Sequence, residues 1–352
     1  MFSIINIDEK EKWNEIVKSF ANYDVYYLSD YVKAFQLHGD GEPTLIYYND
    51  NSFKAMNVVM KKDIGKDEFF SNIIPENTLF DMTTPYGYGG FILEGDITEN
   101  KFNKFIDEYI SLCNDQRIIS EFVRFHPVLN NVKKLDNFYD VLNIGSTITL
   151  DLESKTKIWE NFTSKNRNVV RKAKKSGVRI YWGRSISLFE HFISLYNKTM
   201  DKNKANDYYY FEKDFYNSIL EDLKYNSLIF YAVYDEKIIA MSIILFGNQQ
   251  LHYHLSASDR DYSHLGPTNL LLYEVACWGC ENNFKTFHLG GGVGSKEDSL
   301  FKFKKAFNKD SHTYYSIGKK IINEEIYDKL VKIRQENEVY IINESFFPLY
   351  RG

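Results

Sequence analysis

Three strand-like runs, Ser227 to Tyr234, Lys237 to Phe246 and Gln249 to Ser256, follow one another with two residues between each. Strands joined so tightly must pair as antiparallel neighbours, because a parallel crossover needs about a dozen residues or more. Asp235-Glu236 and Gly247-Asn248 supply the turn chemistry. A helix follows from Pro267 to Glu281, opened by Gly266-Pro267 and carrying Leu271, Val275 and Trp278 on one face. Then come a short strand, Thr286 to Leu289, a glycine-rich loop, a short helix through Phe301 to Phe307 and a strand His312 to Ile317. Upstream, a basic helix ends at Gly177, which suits a left-handed cap, and is followed by a strand, Val178 to Trp182. Helices are expected near Ile186 to Met200 and Phe211 to Leu223.

The first half also mixes strand runs (Thr44 to Tyr48, Ala55 to Met60, Ile118 to Phe125) with helical ones (Tyr31 to Leu37, Lys101 to Cys113). With 352 residues, the chain is long enough for two α/β domains, each a mixed, mainly antiparallel sheet flanked by helices. The expected division is 1–150 with 318–352 as the first domain and 151–317 as the second. A helix Glu324 to Gln335 in the tail is expected to pack back on the first domain.

Charge and cysteine content narrow the function. A formal net charge of -5 argues against a surface that is one nucleic-acid-binding field, and so against a DNA-binding protein, while leaving room for a local basic patch. Cys113, Cys277 and Cys280 are too few for a disulfide framework, and Cys277-Trp278-Gly279-Cys280 has no second pair with which to hold zinc, so no metal is expected. The 27 Tyr and 27 Phe are read as core and sheet surface rather than as a ligand site. The start lacks a signal-peptide pattern, and no stretch reaches the roughly 18 apolar residues of a membrane span, so a cytoplasmic protein is expected, with peripheral membrane contact left open.

Four segments can carry chemistry. Gly266, Pro267, Thr268 and Asn269 open a helix whose free amides and dipole suit a phosphate or pyrophosphate, and so a donor. Gly290 to Lys296 is glycine-rich but places Ser295 before Lys296, which fails the P-loop pattern and reads as a tight turn beside a substrate. Lys165 to Lys175 holds six cations and no acid, with Arg167, Arg171 and Lys174 on one helical face, a pattern that favours phosphate, from an acceptor diphosphate or from RNA. In Ser299 to Lys304, Phe301 and Phe303 alternate with Lys302 and Lys304, and only one of the two lysines can point inward. A fixed ammonium there would stabilise the oxyanion formed when an amine attacks an ester or thioester, by about 3 kcal/mol. Gly-x-Ser-x-Gly and His-Glu-x-x-His are absent, and the histidines at 252, 254, 264 and 288 are scattered, so direct transfer without a covalent intermediate or a tightly bound cofactor fits best.

Trp159 with Asn166 to Gly177, His252 to Ser258, Leu270-Leu271-Leu272, Phe287 to Gly292 and Ser299 to Phe307 together resemble the Fem-type transferases and their GNAT-like relatives. Thr84 to Gly90 and Glu121 to Pro127 resemble the first domain of that family. The resemblance implies two tandem GNAT-like domains and transfer of an amino acid from aminoacyl-tRNA to an amine on a nucleotide- or lipid-linked peptidoglycan precursor. It selects Lys304, with Phe303 beside it, as the catalytic pair. It also implies acceptor contacts from Arg167, Arg171, Tyr253, His254 and Tyr86. Two readings remain beside it: an acyl-CoA-dependent N-acyltransferase acting on an amino sugar, and a silent binding protein on the same fold. Where the family often has Tyr, this chain has His252 and His254, and the helical hairpin of some members is missing.

Overall fold

The computed structural model describes residues 1–336 and 343–352. The chain divides into two compact units, 1–144 with 315–352, and 145–314. The boundaries expected at 150/151 and 317/318 fall inside strands β7 and β13, each of which runs from one unit into the other. Residues 337–342 of the expected tail lie outside the described residues.

In the first unit, β1 (Phe2–Asn6), α1 (Lys10–Ser19), α2 (Ser29–Leu37), β2 (Glu42–Asn49), β3 (Phe53–Asp63), β4 (Phe80–Thr83), β5 (Ile92–Gly95), α3 (Glu99–Asp115) and β6 (Ile118–Arg124) follow in order. β1, β2, β3 and β4 pair as antiparallel neighbours, and β6 adds to β4 in parallel. On the edge away from β2, the eleven residues of β3 serve two partners, its start pairing β5 and its end β4. The core between α3 and the sheet is aromatic, with Tyr48, Phe53, Phe91, Phe105 and Tyr109 all buried. The chain returns here through β13 (Thr313–Ile321), antiparallel to β6, and α10 (Glu324–Gln335), whose Tyr327 and Leu330 are buried with Ile119 and Tyr350. Arg351 closes the tail on Asp81 (2.6 Å) and Asp67 (3.0 Å).

The second unit begins in β7 (Asp140–Asp151) and continues with α4 (Lys155–Asn161), α5 (Ser164–Lys175), β8 (Arg179–Gly183), α6 (Ile186–Asn203), α7 (Lys213–Glu221), β9 (Ser227–Tyr234), β10 (Lys237–Gly247), β11 (Gln250–Ser258), α8 (Pro267–Glu281), β12 (Thr286–Gly290) and α9 (Ser299–Lys305). Its sheet runs β7-β12-β11-β10-β9-β8. The three central strands are antiparallel as expected, and β12 joins β11 in parallel, as the crossover through α8 requires. The first hairpin turns at Asp235-Glu236, both at positive φ. The second turns at Asn248-Gln249 rather than Gly247-Asn248, one residue late, because Gly247 still pairs with Gln250. Gly177, at φ 94°, ends α5 in the left-handed region.

Both units therefore contain the order strand, two helices, three antiparallel strands, helix, parallel strand, from β1 to β6 in the first, where β5 is inserted before α3, and from β8 to β12 in the second. In the second, the apolar side of α8 (Leu271, Leu272, Val275, Ala276) packs on Phe230, Leu251 and Phe287 of the sheet. Fully burying one such side chain is worth about 1.5–3 kcal/mol, so this cluster holds α8 firmly on the sheet.

Candidate active site

The site grows from a fault in the sheet. β11 and β12 pair only over Gln250↔Thr286, Leu251↔Phe287 and His252↔His288, although both strands run further. Each also carries an extra residue just beyond that point. Ile243 faces Leu255 while Ile244 faces Tyr253, which makes His254 a bulge in β11. His288 faces Thr149 while Gly290 faces Ile148, which makes Leu289 a bulge in β12. Bulges bend and twist their strands, and two of them where pairing stops open a wedge between parallel neighbours.

Lys304 reaches this wedge. It is 8 % exposed, whereas Lys302 lies on the solvent side of α9, and this decides which lysine points inward. Its ammonium donates to Gly291 O at 2.7 Å and stands 5.9 Å from the centre of the Tyr253 ring. The glycine loop shapes that acceptor. Gly290 takes φ 76°, and a Cβ on Gly292 would stand 2.0 Å from Lys296 O. Asp298 caps α9, accepting from Phe301 N (2.8 Å) and Val293 N (3.2 Å).

Burial pulls the Lys304 ammonium down to about 8, with the Asp298 carboxylate opposing the shift. At pH 7 about nine-tenths of it is therefore still charged. The amides at the α9 start hold the Asp298 carboxyl below its usual range. Burial, reinforced by His252, lowers His254 to about 3, so this imidazole is neutral near pH 7 and a weak base. Burial raises the Tyr253 phenol to about 12, against a hydrogen bond with Ser256. Phe303 is half-buried and packs edge-on against Phe307 at 5.3 Å.

The α8 start lies against the basic helix. Gly266, at φ 66°, is so close to α5 that a Cβ would stand 2.4 Å from Val169 Cγ1. No side chain caps α8, Pro267 occupies its first turn, and that turn contains no acid. Thr268 is half-buried, and Asn269 donates to Asn166 Oδ1 at 2.8 Å. Free amides at a helix start without a competing carboxylate suit an anion. Lys172 donates to His264 O at 3.1 Å and Lys174 pairs with Glu274 at 2.7 Å, which ties α5 along α8.

The remaining expected residues are distributed unevenly. Arg167 turns inward to Phe162 O (2.5 Å) and Ser164 Oγ (3.1 Å), closing the end of α4, so its guanidinium is committed to the protein. Arg171 stays exposed, 5.1 Å from the Trp159 ring, and is held by Asn168 Oδ1 at 3.0 Å. Tyr86 belongs to the first unit, where it stacks on Phe35 at 5.5 Å. Of Cys277 and Cys280, the first is buried, with burial raising its thiol, and the second is half-buried, while Cys113 is buried in the first unit. Sequence reasoning missed Gly291 O and the paired bulges. The only signal for either was the glycine run itself, which marks a turn without showing which carbonyl it offers.

Residues 161–304 match the family model described as Acetyltransferase (GNAT) domain, a segment that spans α5 to Lys304. No curated protein matches the chain. Among solved structures it is similar to FemX, at 15% identity and TM-score 0.65, over 93% of this chain and 99% of that one. It is also similar to a conserved protein of unknown function from Bacteroides thetaiotaomicron VPI-5482, at 10% identity and TM-score 0.56 over 90% and 98%. A third similar structure is the C-terminal domain of a putative lysylphosphatidylglycerol synthetase from Agrobacterium fabrum, at 13% identity and TM-score 0.53 over 89% and 92%. Along nearly its whole length the chain has the Fem-like GNAT fold.

Proposed function

We propose that the protein is an N-acyltransferase whose reaction takes place in the wedge between β11 and β12. The amine nitrogen of the acceptor attacks the donor's carbonyl carbon. Charge gathers on the carbonyl oxygen, the bond to the leaving oxygen or sulfur breaks, and the proton the amine gives up ends on that leaving atom as the amide forms. The observation that carries this reading is the Lys304 ammonium, buried, charged at neutral pH and held by one backbone carbonyl at the mouth of the wedge. In a low-dielectric setting such a cation acts on the developing oxyanion far more strongly than it would in water.

The donor we favour is aminoacyl-tRNA, and the acceptor an amine on a peptidoglycan or other envelope precursor. Supporting this are the Fem-type sequence resemblance, the fold shared with FemX and the exposed cations Lys165, Arg171, Lys172 and Lys175 along α5. Acyl-CoA is the second reading, favoured by the match of residues 161–304 to an acetyltransferase domain and by an uncapped α8 that suits a pyrophosphate. In either case the first unit is proposed to serve the acceptor side, and the second the donor and the chemistry.

The test is a donor screen read by mass spectrometry, offering charged tRNA and acyl-CoA species in turn to a pool of muropeptides and amino sugars. Amide product with charged tRNA is the expected result. Product with CoA alone transfers the assignment to the second reading, and no product with either donor leaves a binding protein.

A further inference from the structure

Asn166 is 2 % exposed, and both ends of its amide are engaged. Its Nδ2 donates to Ala306 O at 3.3 Å, and its Oδ1 accepts from Asn269 Nδ2 at 2.8 Å. Only the oxygen can accept and only the nitrogen can donate, so these partners fix the amide's orientation. Ala306 ends α9, two residues beyond Lys304, and Asn269 sits in the first turn of α8. One buried side chain of α5 thus braces the helix that carries the lysine against the helix start that forms the anion seat.

Neighbouring contacts leave the brace little slack. The Thr163 hydroxyl caps α5 at Asn166 N (3.3 Å), and Thr163 N donates to Ala306 O at 3.0 Å. Val169 fills the space against Gly266, so the α8 start cannot slide towards α5. A phosphate drawn onto the amides of Thr268 and Asn269 would pull on this first turn, and the Asn269–Asn166–Ala306 chain leads directly to the end of α9. Packed elements of this kind transmit small shifts because they have few alternative arrangements.

We propose that Asn166 is a positioning residue that couples occupancy of the α8 anion seat to placement of the Lys304 ammonium. The inference rests on the reaction proposed above. It assigns Asn166 a role distinct from phosphate contact and makes Asn269 the link rather than only a donor ligand.

The test needs no knowledge of the donor. Full-length protein carrying ε-13C-lysine is followed by NMR, the Lys304 signal is assigned by its loss in Lys304→Met, and inorganic pyrophosphate is the probe of the seat. In the wild type, Lys304 is expected to titrate near 8 and its signal to move when pyrophosphate is added. In Asn166→Ala, which keeps Thr163 N on Ala306 O, the midpoint should rise towards the ordinary lysine value and the response to pyrophosphate should vanish. Asn269→Ala, at a half-buried position that tolerates truncation, should lose the response in the same way. A wild-type signal indifferent to pyrophosphate, or a full response in both variants, overturns the coupling. Those outcomes leave the proposed reaction standing, whereas unchanged turnover in Lys304→Met removes that reaction whatever the NMR shows.

Discussion

The two units share one order of elements but differ where their parallel strands meet. In the second, pairing stops at His252↔His288 and a wedge opens. In the first, β4 and β6 pair through Thr83↔Phe122, and the chain beyond stays joined through Thr84 N to Phe122 O (3.1 Å), Gly89 N to Arg124 O (2.7 Å) and the bridge Gly89↔Phe125. The helices that cross over differ too. α3 is capped by Thr98 and has Glu99 in its first turn, whereas α8 has neither a side-chain cap nor an acid in its first turn. The buried ionisable side chains differ in the same sense, and burial raises the Glu121 carboxyl above its usual range. Glu121 of the first unit takes hydrogen bonds from Asn57 (2.8 Å), Tyr109 (3.0 Å) and Tyr139 (2.8 Å), while Lys304 has one carbonyl. A buried polar group whose hydrogen bonds are satisfied holds structure; one left with donors to offer is available to chemistry. The repeated fold has one copy whose parallel strands stay joined and one whose strands part, the copy in which the reaction is proposed to take place.

The sharpest way to break this contrast is to remove each buried ionisable side chain. Glu121→Ala strands the Tyr109, Tyr139 and Asn57 donors and should cost about 3–5 kcal/mol of stability, read by denaturant unfolding. Lys304→Met should have the opposite sign and stabilise the protein by about 1–3 kcal/mol near pH 7. The reason is proton linkage. Lys304 falls from 10.5 to about 8 on folding, so between those values the unfolded chain binds more protons and wild-type stability rises with pH. That rise should be absent in Lys304→Met. A smaller effect is expected on the solvent side of α5, where Arg171→Ala with Lys175→Ala should raise the donor KM by about threefold to tenfold at low salt, and less at high salt, as screening demands. Smallest is the cap, where Thr98→Ala should lower stability by about 1 kcal/mol without touching turnover.

Much of the second unit could be read from its residues. Ser227 to Tyr234 and Pro267 to Glu281 coincide with β9 and α8, because a two-residue turn and a Gly-Pro opening each dictate local geometry. α10 also coincides with its expected span. β4 and β5 were not legible, since each has four residues and both take their register from β3. α1 was passed over as well, because only Trp13 and Val17 of its ten residues are buried. In the site, Lys304 could be chosen over Lys302 only by resemblance, whereas the structure distinguishes them by burial. The wedge was invisible because a bulge depends on what the neighbouring strand does, and His252-Tyr253-His254 alternates like any unbroken strand. Arg167 shows the same limit: its charge was plain, but its turn towards Phe162 O was not.

The pH dependence of turnover, compared between wild type and Lys304→Met with whichever donor yields product, bears most directly on the open wedge. With the ammonium as oxyanion partner, wild-type turnover should fall as pH rises through about 8, and Lys304→Met should be slower by about a hundredfold at pH 7 with no such decline. Wild-type turnover that climbs through that pH would make the neutral amine the active form, and an unimpaired Lys304→Met would place the reacting centre elsewhere.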